Sequence, residues 1–456
     1  MKKEMFKHEI TILKDTFVRL LRRHAQTNLV KLIKKTHPAD LATLFRYFDD
    51  DQQLQLFRLM ENDEHTLEFL IELDDILIEK ILNHGNSDEI ANLIQDASTN
   101  DQRYILEALK EDQAKSVMEL LKTDEKEEIE EIMAYPEDSA GSMMSTDIFT
   151  LHQDTSCGEA LKAIQDQEEA EMVFYLYITN DENSLSGIAS LRTLATNPQN
   201  TTLKDIMIKK IHSVRPEMDQ EDVAQIVAQY NYLAVPVVDV DNHLLGIVTV
   251  DDVVDVIREE ATEDFLKMAG AGKDREILLK SSFENVRARF PWLFASWVGG
   301  VIAATVIGVF ENMLENIIIL TAFIPVIIGM GGNIGTQSST IIVRGMATGR
   351  IEIGNEWKIL IKELKIGLIL GLLYGFLLGM FAIFKFVDTN PVIGLVVGLS
   401  ICASMVLATG VGTFSPLILR KLDIDPAIAT GPFVTTSIDI LGVLLYFIIA
   451  NSLLNF

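Results

Sequence analysis

The chain has little cysteine: Cys157 and Cys402 are the only two in 456 residues, and no disulfide framework is expected from them. Histidine stops at His243, so the apolar back of the chain offers a metal no imidazole. No nucleophile–base pattern, P-loop or metal-hydrolase spacing occurs, and no enzyme is expected. The opening MKKEMFKHEI lacks the apolar core of a signal peptide. Excess positive charge is absent too. Lys+Arg number 39 against Asp+Glu 66, a net of −27, which disfavours nucleic acid as a partner and any purely electrostatic attachment to an anionic surface. A hydrophobic fraction of 48% excludes an acidic disordered chain.

Charge is scarce in one half only. Residues 291–456 hold eight Lys/Arg and nine Asp/Glu, a net of −1, which leaves −26 for residues 1–290. Five stretches of the apolar half, roughly 292–310, 317–343, 366–384, 391–418 and 427–454, reach the ~20 apolar residues that a membrane helix needs. Arg287 and Arg289 precede the first span. Arg344, Arg350, Lys358, Lys362 and Lys365 lie between the second and third, and Arg420 and Lys421 between the fourth and fifth. The opposite loops offer only Lys385. The positive-inside bias therefore predicts cytoplasmic N-terminal domains and a C-terminus outside.

Three kinds of segment precede the spans. Up to about residue 133 the pattern is of short amphipathic helices: Ile90, Leu93, Ile94 and Ala97 share a helical face, as do Val117, Leu120 and Leu121 in part, and Ser98 reads as an N-cap. A helical superhelix is expected, with a small all-α bundle as the alternative. Between 140 and 260 the chain duplicates itself. Met144–Leu151 and Met207–Val214 are each followed by an amphipathic helix, then by β-rich runs (Phe174–Ile178; Ala234–Val238), then by Gly187–Ser190 and Gly246–Thr249. The two copies resemble a tandem pair of CBS domains, β-α-β-β-α modules that often sense adenosine nucleotides or ions. Thr249 and Asp252 suit a ribose, and Ser190 matches Thr249 in the first copy, where Thr193 replaces the carboxylate. Two structural βα units without ligand are the plainer alternative. Residues 251–290 then read as one long charged helix into the first span, carrying Glu259, Glu260, Glu263, Asp264 and the flexible Ala269-Gly270-Ala271-Gly272.

A carboxylate within the bilayer marks a functional site by default. Of the nine acidic residues in the apolar half, eight are assigned to span ends or connections, and only Asp439 lies about halfway along a span. Gly431, Thr435, Asp439 and Gly442 fall on one face of the fifth span, and Asn333, Gln337 and Thr340 on one face of the second, after Gly329-Met330-Gly331-Gly332. Such polar groups can also serve as interhelical glue. Hard oxygen ligands favour Mg²⁺, Ca²⁺ or Mn²⁺ over Zn²⁺ and Cu⁺.

The order of helical domain, CBS pair, connecting helix and five spans resembles the MgtE family of magnesium channels, most specifically in Gly331–Gln337 and in Asp425-Pro426-Ala427 through Thr435–Asp439. The resemblance implies a homodimer whose pore is lined by the second and fifth spans, with Asp439 binding hydrated Mg²⁺ and Asn333 nearby. It also implies closure by cytosolic Mg²⁺, which bridges carboxylates of the cytoplasmic domains and the pore mouth. The matching positions are Asp88, Asp219, Glu221, Asp252, Asp255, Glu260, Glu263, Asp264 and Asp425. Asn92 and Asn231 stand where similar proteins have acidic sensors. ATP binding, known in the family, is put in doubt by Thr193.

The expected architecture is a multidomain integral membrane protein. A cytoplasmic all-α superhelical domain spans 1–136, CBS domains 137–200 and 201–258, a connecting (plug) helix 259–288, and a five-helix membrane domain 289–456. The expected function is Mg²⁺ uptake through a Mg²⁺-closed channel, with Asp439, Asn333, Thr435 and Gln337 at the pore and membrane lipid around it. A cation-coupled carrier of Mg²⁺, Co²⁺ or Mn²⁺, or a membrane-tethered ion or nucleotide sensor without transport, are the alternatives.

Overall fold

The computed structural model describes residues 2–60, 65–83, 85–95, 97–166, 175–272, 277–351, 354, 356–386, 391–422 and 424–454. Phe174 of the first β-rich run and the connection residues Glu352, Asp388 and Asp423 lie outside them. The chain divides into two units, Met1–Val256 and Ile257–Phe456, with helix Val250–Met268 running through the division.

Helices fill the front of the first unit, a long one at Lys2–Arg22 and then short ones as far as Thr123–Met133. Helix Ser87–Ile94 turns Ile90 and Ile94 inward, while Ala97 falls in the connection after it. Leu121 is buried beyond helix Glu111–Met118, whereas Leu120 is exposed. Ser98 caps helix Thr99–Ala108 as expected, accepting from the Asp101 N–H at 3.2 Å. Ile90, Ile94, Ile105, Val117 and Ile129 join Phe17, Phe45 and Phe69 in one apolar core. Helices pack on their next-but-one neighbours: Asp75–Leu82 on Thr99–Ala108, Ser87–Ile94 on Glu111–Met118, and Thr99–Ala108 on Thr123–Met133. That is how a superhelix grows.

The duplicated region folds as two related copies. In the first, β1 (Thr150–His152) runs parallel to β2 (Tyr175–Thr179), which pairs antiparallel with β3 (Leu185–Ser190). In the second, β4 (Ala234–Val238) pairs antiparallel with β5 (Leu244–Thr249), and Val214 replaces β1 by a single parallel bridge to Val237. The lead-in segments are exchanged: Ser145 bridges to Ile247 of the second copy and Ile208 to Ile188 of the first. Met144 then covers Gly246 and Met207 covers Gly187, so a side chain at either glycine would collide with the methionine sulfur. The two methionines that head the repeat are thus reciprocal clasps.

Among the described residues, the second unit holds five helices long and apolar enough to cross a membrane: Ser282–Val309, Ile318–Ala347, Glu356–Lys385, Val392–Lys421 and Pro426–Leu454. Third and fourth spans run antiparallel at close range because glycines face each other. Gly367 meets Thr409, Gly371 meets Cys402, Gly375 meets the Gly398 carbonyl and Gly379 the Gly394 carbonyl. The connecting region differs from expectation. Helix Val250–Met268 stops, Gly270 and Gly272 take φ of +67° and +97°, and a new helix starts behind the Ser281–Glu284 capping box. Two glycines in the left-handed region and an N-cap serine end one helix and begin another, so no single helix runs from 251 to 290.

Candidate functional site

The second and fifth spans lie antiparallel. Gly331 and Gly335 pack on Ile438 and Val434, Gly332 faces Thr435, and the Ser339 hydroxyl donates to the Ala429 carbonyl at 2.9 Å. This register sets Asp439 level with Met330, about 4.5 Å along the axis from Asn333 at ~1.5 Å per residue. Asp439 is half-buried, and among the described residues no donor reaches its carboxylate. Asn333 and Gln337 are exposed on the side of the second span away from buried Gly331, Gly335 and Ser338, and they too bond to nothing described. Thr435 is less available, since its hydroxyl donates to the Gly431 carbonyl at 3.0 Å. The arrangement leaves one carboxylate and two amides free for a hydrated cation.

One assignment from sequence needs correction. Glu363 belongs to no connection: it lies inside helix Glu356–Lys385, 6% exposed, with the Ser338 hydroxyl donating to its Oε2 at 3.1 Å. Lys362 and Lys365 on either side gave it the look of a loop residue.

At the mouth of the fifth span, Asp425 accepts from the Ala427 N–H at 2.8 Å and so caps the turn Pro426–Ala429. Its other oxygen receives the Lys267 ammonium at 2.5 Å, and Lys267 also reaches Glu263 at 2.5 Å. The two carboxylates hold the lysine more strongly protonated than usual, against the opposing effect of its partial burial. Asp264, beside them, is pushed up by burial and by repulsion from Asp425. The end of the acidic helix abuts the fifth span: a side chain at Gly431 would strike the Met268 carbonyl, and one at Gly270 would strike Pro432. Glu263, Asp264 and Asp425 are the acidic positions expected from sequence, and Lys267 between them carries no sequence signal of its role. Glu260 stands half-buried on the same helix.

A second acidic group forms within the first unit. Burial raises Asp101 above the usual carboxylate range, and repulsion from Asp252 and Asp147 raises it further. Burial likewise raises Asp252, which Thr249 opposes by donating its hydroxyl at 2.6 Å and its N–H at 3.1 Å. Asp101 thus brings the helical domain's charge to the second CBS copy. It was hidden in the sequence because Ser98-x-x-Asp101 reads as an ordinary cap. Asp88 is exposed on helix Ser87–Ile94, where it accepts from the Asn86 amide at 3.3 Å. Asp219 caps helix Gln220–Tyr230, accepting from the Glu221 N–H at 2.8 Å, and Asp255 is exposed on helix Val250–Met268.

The nucleotide-type positions pair with themselves. Ser190 meets Thr193 at 2.8 Å in the first copy, in the place of the Thr249–Asp252 pair of the second. The second copy adds an aromatic stack that sequence reading missed. His212 lies 4.2 Å from Tyr230 and bonds Tyr232 at 2.5 Å, and the Val250 N–H donates to the Leu233 carbonyl next door. Two surface groups, His152–Asp154–Asp181 and Asp239–Asp241–His243, also gather metal-type ligand atoms within 4.8 Å.

Comparison with known proteins agrees with this layout. A family model described as a divalent cation transporter matches residues 324–449, the MgtE intracellular N domain matches 36–138, and CBS domains match 140–198 and 203–259. The magnesium transporter MgtE of Enterococcus faecalis is 35% identical over 326 residues, 71% of each chain. That of Thermus thermophilus is 36% identical over 326 residues, 70% of this chain and 71% of its own. A crystal structure of the cytosolic domain of the Mg²⁺ channel MgtE in complex with ATP superposes with a TM-score of 0.51 at 28% identity, covering 53% of this chain and 99% of that one. Domain by domain and along most of its length, the chain belongs to the MgtE family of divalent cation transporters.

Proposed function

We propose that this chain is a Mg²⁺ channel that takes up magnesium across the cell's inner or plasma membrane and is closed by cytosolic Mg²⁺. It works as a homodimer embedded in lipid, with its acidic domains in the cytoplasm and its C-terminus outside. The observation that carries the reading is Asp439, a carboxylate halfway along the fifth span that no described donor satisfies. Asn333 and Gln337 stand ready to hydrogen-bond the ion's water shell. One carboxylate per chain, with waters retained, suits an ion that sheds water reluctantly.

Closure is read from the acidic groups. Mg²⁺ neutralises Asp101, Asp147 and Asp252 in the first unit, and Glu263, Asp264 and Asp425 in the second, where repulsion is relieved only in part. The compact state then binds Mg²⁺ better than the open one and is selected as Mg²⁺ rises. Nucleotide binding falls to the second CBS copy, where Thr249–Asp252 and the Tyr230–Tyr232 stack supply ribose and base contacts, and not to the first, where Thr193 stands in place of the carboxylate.

The test is current recording from bilayers containing the full-length protein with graded cytosolic Mg²⁺. Large currents that fall as Mg²⁺ rises are expected. Currents that follow the proton gradient would instead establish a coupled carrier, and absence of any Mg²⁺ flux would leave only a sensor.

A further inference from the structure

Glu363 is the only charged residue among the described ones that is buried, at 6% exposure. A carboxyl group enclosed at this depth requires a defined partner. It has one, the Ser338 hydroxyl, and no lysine or arginine reaches it among the described residues. The antiparallel register that places Gly367 against Thr409 sets Thr413 level with Glu363 one turn further on. Thr413 is itself 0% exposed with a hydroxyl that bonds to nothing described, and its neighbour Gly412 lies against the Gly335 carbonyl. Polar groups of the second, third and fourth spans therefore converge at this level, in a region otherwise packed with glycine and aliphatic side chains.

The consequence is rotational. Ser338 and Ser339 point about 100° apart on the second span. Ser338 donates to Glu363 of the third span, and Ser339 donates to the Ala429 carbonyl in the first turn of the fifth. Two bonds in different directions fix how the second span is turned about its axis. That setting is the one in which Asn333 and Gln337 are exposed while Gly331 and Gly335 are buried.

We propose that Glu363 is a positioning residue for ion passage: by accepting from Ser338 it holds the second span in the rotation that presents Asn333 and Gln337 to the ion path. The inference rests on the pore reading above, and Glu363 itself touches no ion. Its test is bilayer recording of Mg²⁺ conductance and of Mg²⁺ over K⁺ permeability on the full chain, beside thermal unfolding in detergent. Glu363→Leu and Ser338→Ala each lower Mg²⁺ conductance about tenfold and shift the permeability ratio. The double variant is no worse than the poorer single one, because both remove the same bond. Ser338→Thr and Glu363→Gln, which keep a donor and an acceptor, stay within about threefold of the parent. The proposal is overturned if Glu363→Leu and Ser338→Ala conduct and select like the parent, or if their losses multiply. Should Glu363→Leu fail to fold, the Ser338→Ala and Ser338→Thr pair decides alone. Asp439→Ala recorded alongside separates the two levels. If it conducts normally the pore reading fails, and if it is silent while the Ser338 and Glu363 variants behave as the parent, only the positioning role fails.

Discussion

Lys267, at the end of the acidic helix, donates its ammonium to Asp425 at the mouth of the fifth span, 2.5 Å away, and shares it with Glu263 at the same distance. A tethered cation thus occupies the place between two carboxylates that a soluble cation would otherwise take. The pair is mostly shielded, with side-chain exposures of 19% for Lys267 and 30% for Asp425, so it is worth more than a surface ion pair.

Lys267→Met should therefore remove the cation that Glu263 and Asp425 share. In EDTA this costs on the order of 1–2 kcal/mol of stability. Mg²⁺ should restore more stability to the variant than to the parent, since the lysine then no longer competes for the carboxylates. Thermal unfolding of the full chain across a Mg²⁺ titration checks this. Equal Mg²⁺ gains in both proteins would show that the lysine does not occupy a cation's place.

The raised carboxyls of Asp101 and Asp252 carry a pH signature. Both carboxyls are raised above the usual range by burial, Asp101 further by its neighbours. Their contribution to stability is full below the ordinary carboxyl pKa, about 4, and is lost as pH rises through the raised values. At neutral pH in EDTA, Asp101→Asn should resist protease within residues 1–256 better than the parent, and the advantage should vanish in acid. Added Mg²⁺ should protect the parent more than the variant. Identical cleavage profiles for the two proteins at every pH would contradict this.

The glycine contact between third and fourth spans admits no side chain. Gly375→Leu would drive a side chain into the Gly398 carbonyl and should cost about 1–3 kcal/mol, seen as a lower unfolding temperature in detergent. Gly308→Leu, where nothing lies within 4 Å, is the matched control and should be near neutral.

Much of this was legible in the sequence, for identifiable reasons. The duplication showed because Met144 and Met207 do the same job over Gly246 and Gly187, and equivalent jobs leave the same residue types in the same order in both copies. The spans showed because a bilayer demands length and apolarity that few soluble helices have. What stayed hidden depended on pairing across helices. Glu363 looked like a connection residue because its flanking lysines are exposed while it alone turns inward to Ser338. Asp101 looked like a cap, which it also is, and only the fold brings Asp252 and Asp147 beside it. The helix break at Gly270 and Gly272 was visible as flexibility but not as an end, because positive φ is a property of the folded chain.

Asp439 carries the most direct test of ion passage. Mg²⁺ currents should be recorded from bilayers holding equal amounts of folded parent and Asp439→Ala, with Mg²⁺ on the side of the acidic domains kept low, the condition under which the proposed channel opens. Loss of the Mg²⁺ current in the variant, with unchanged Mg²⁺ protection of residues 1–256 from protease, is the result predicted for an ion-binding carboxylate in the pore. A Mg²⁺ current equal to the parent's would contradict it.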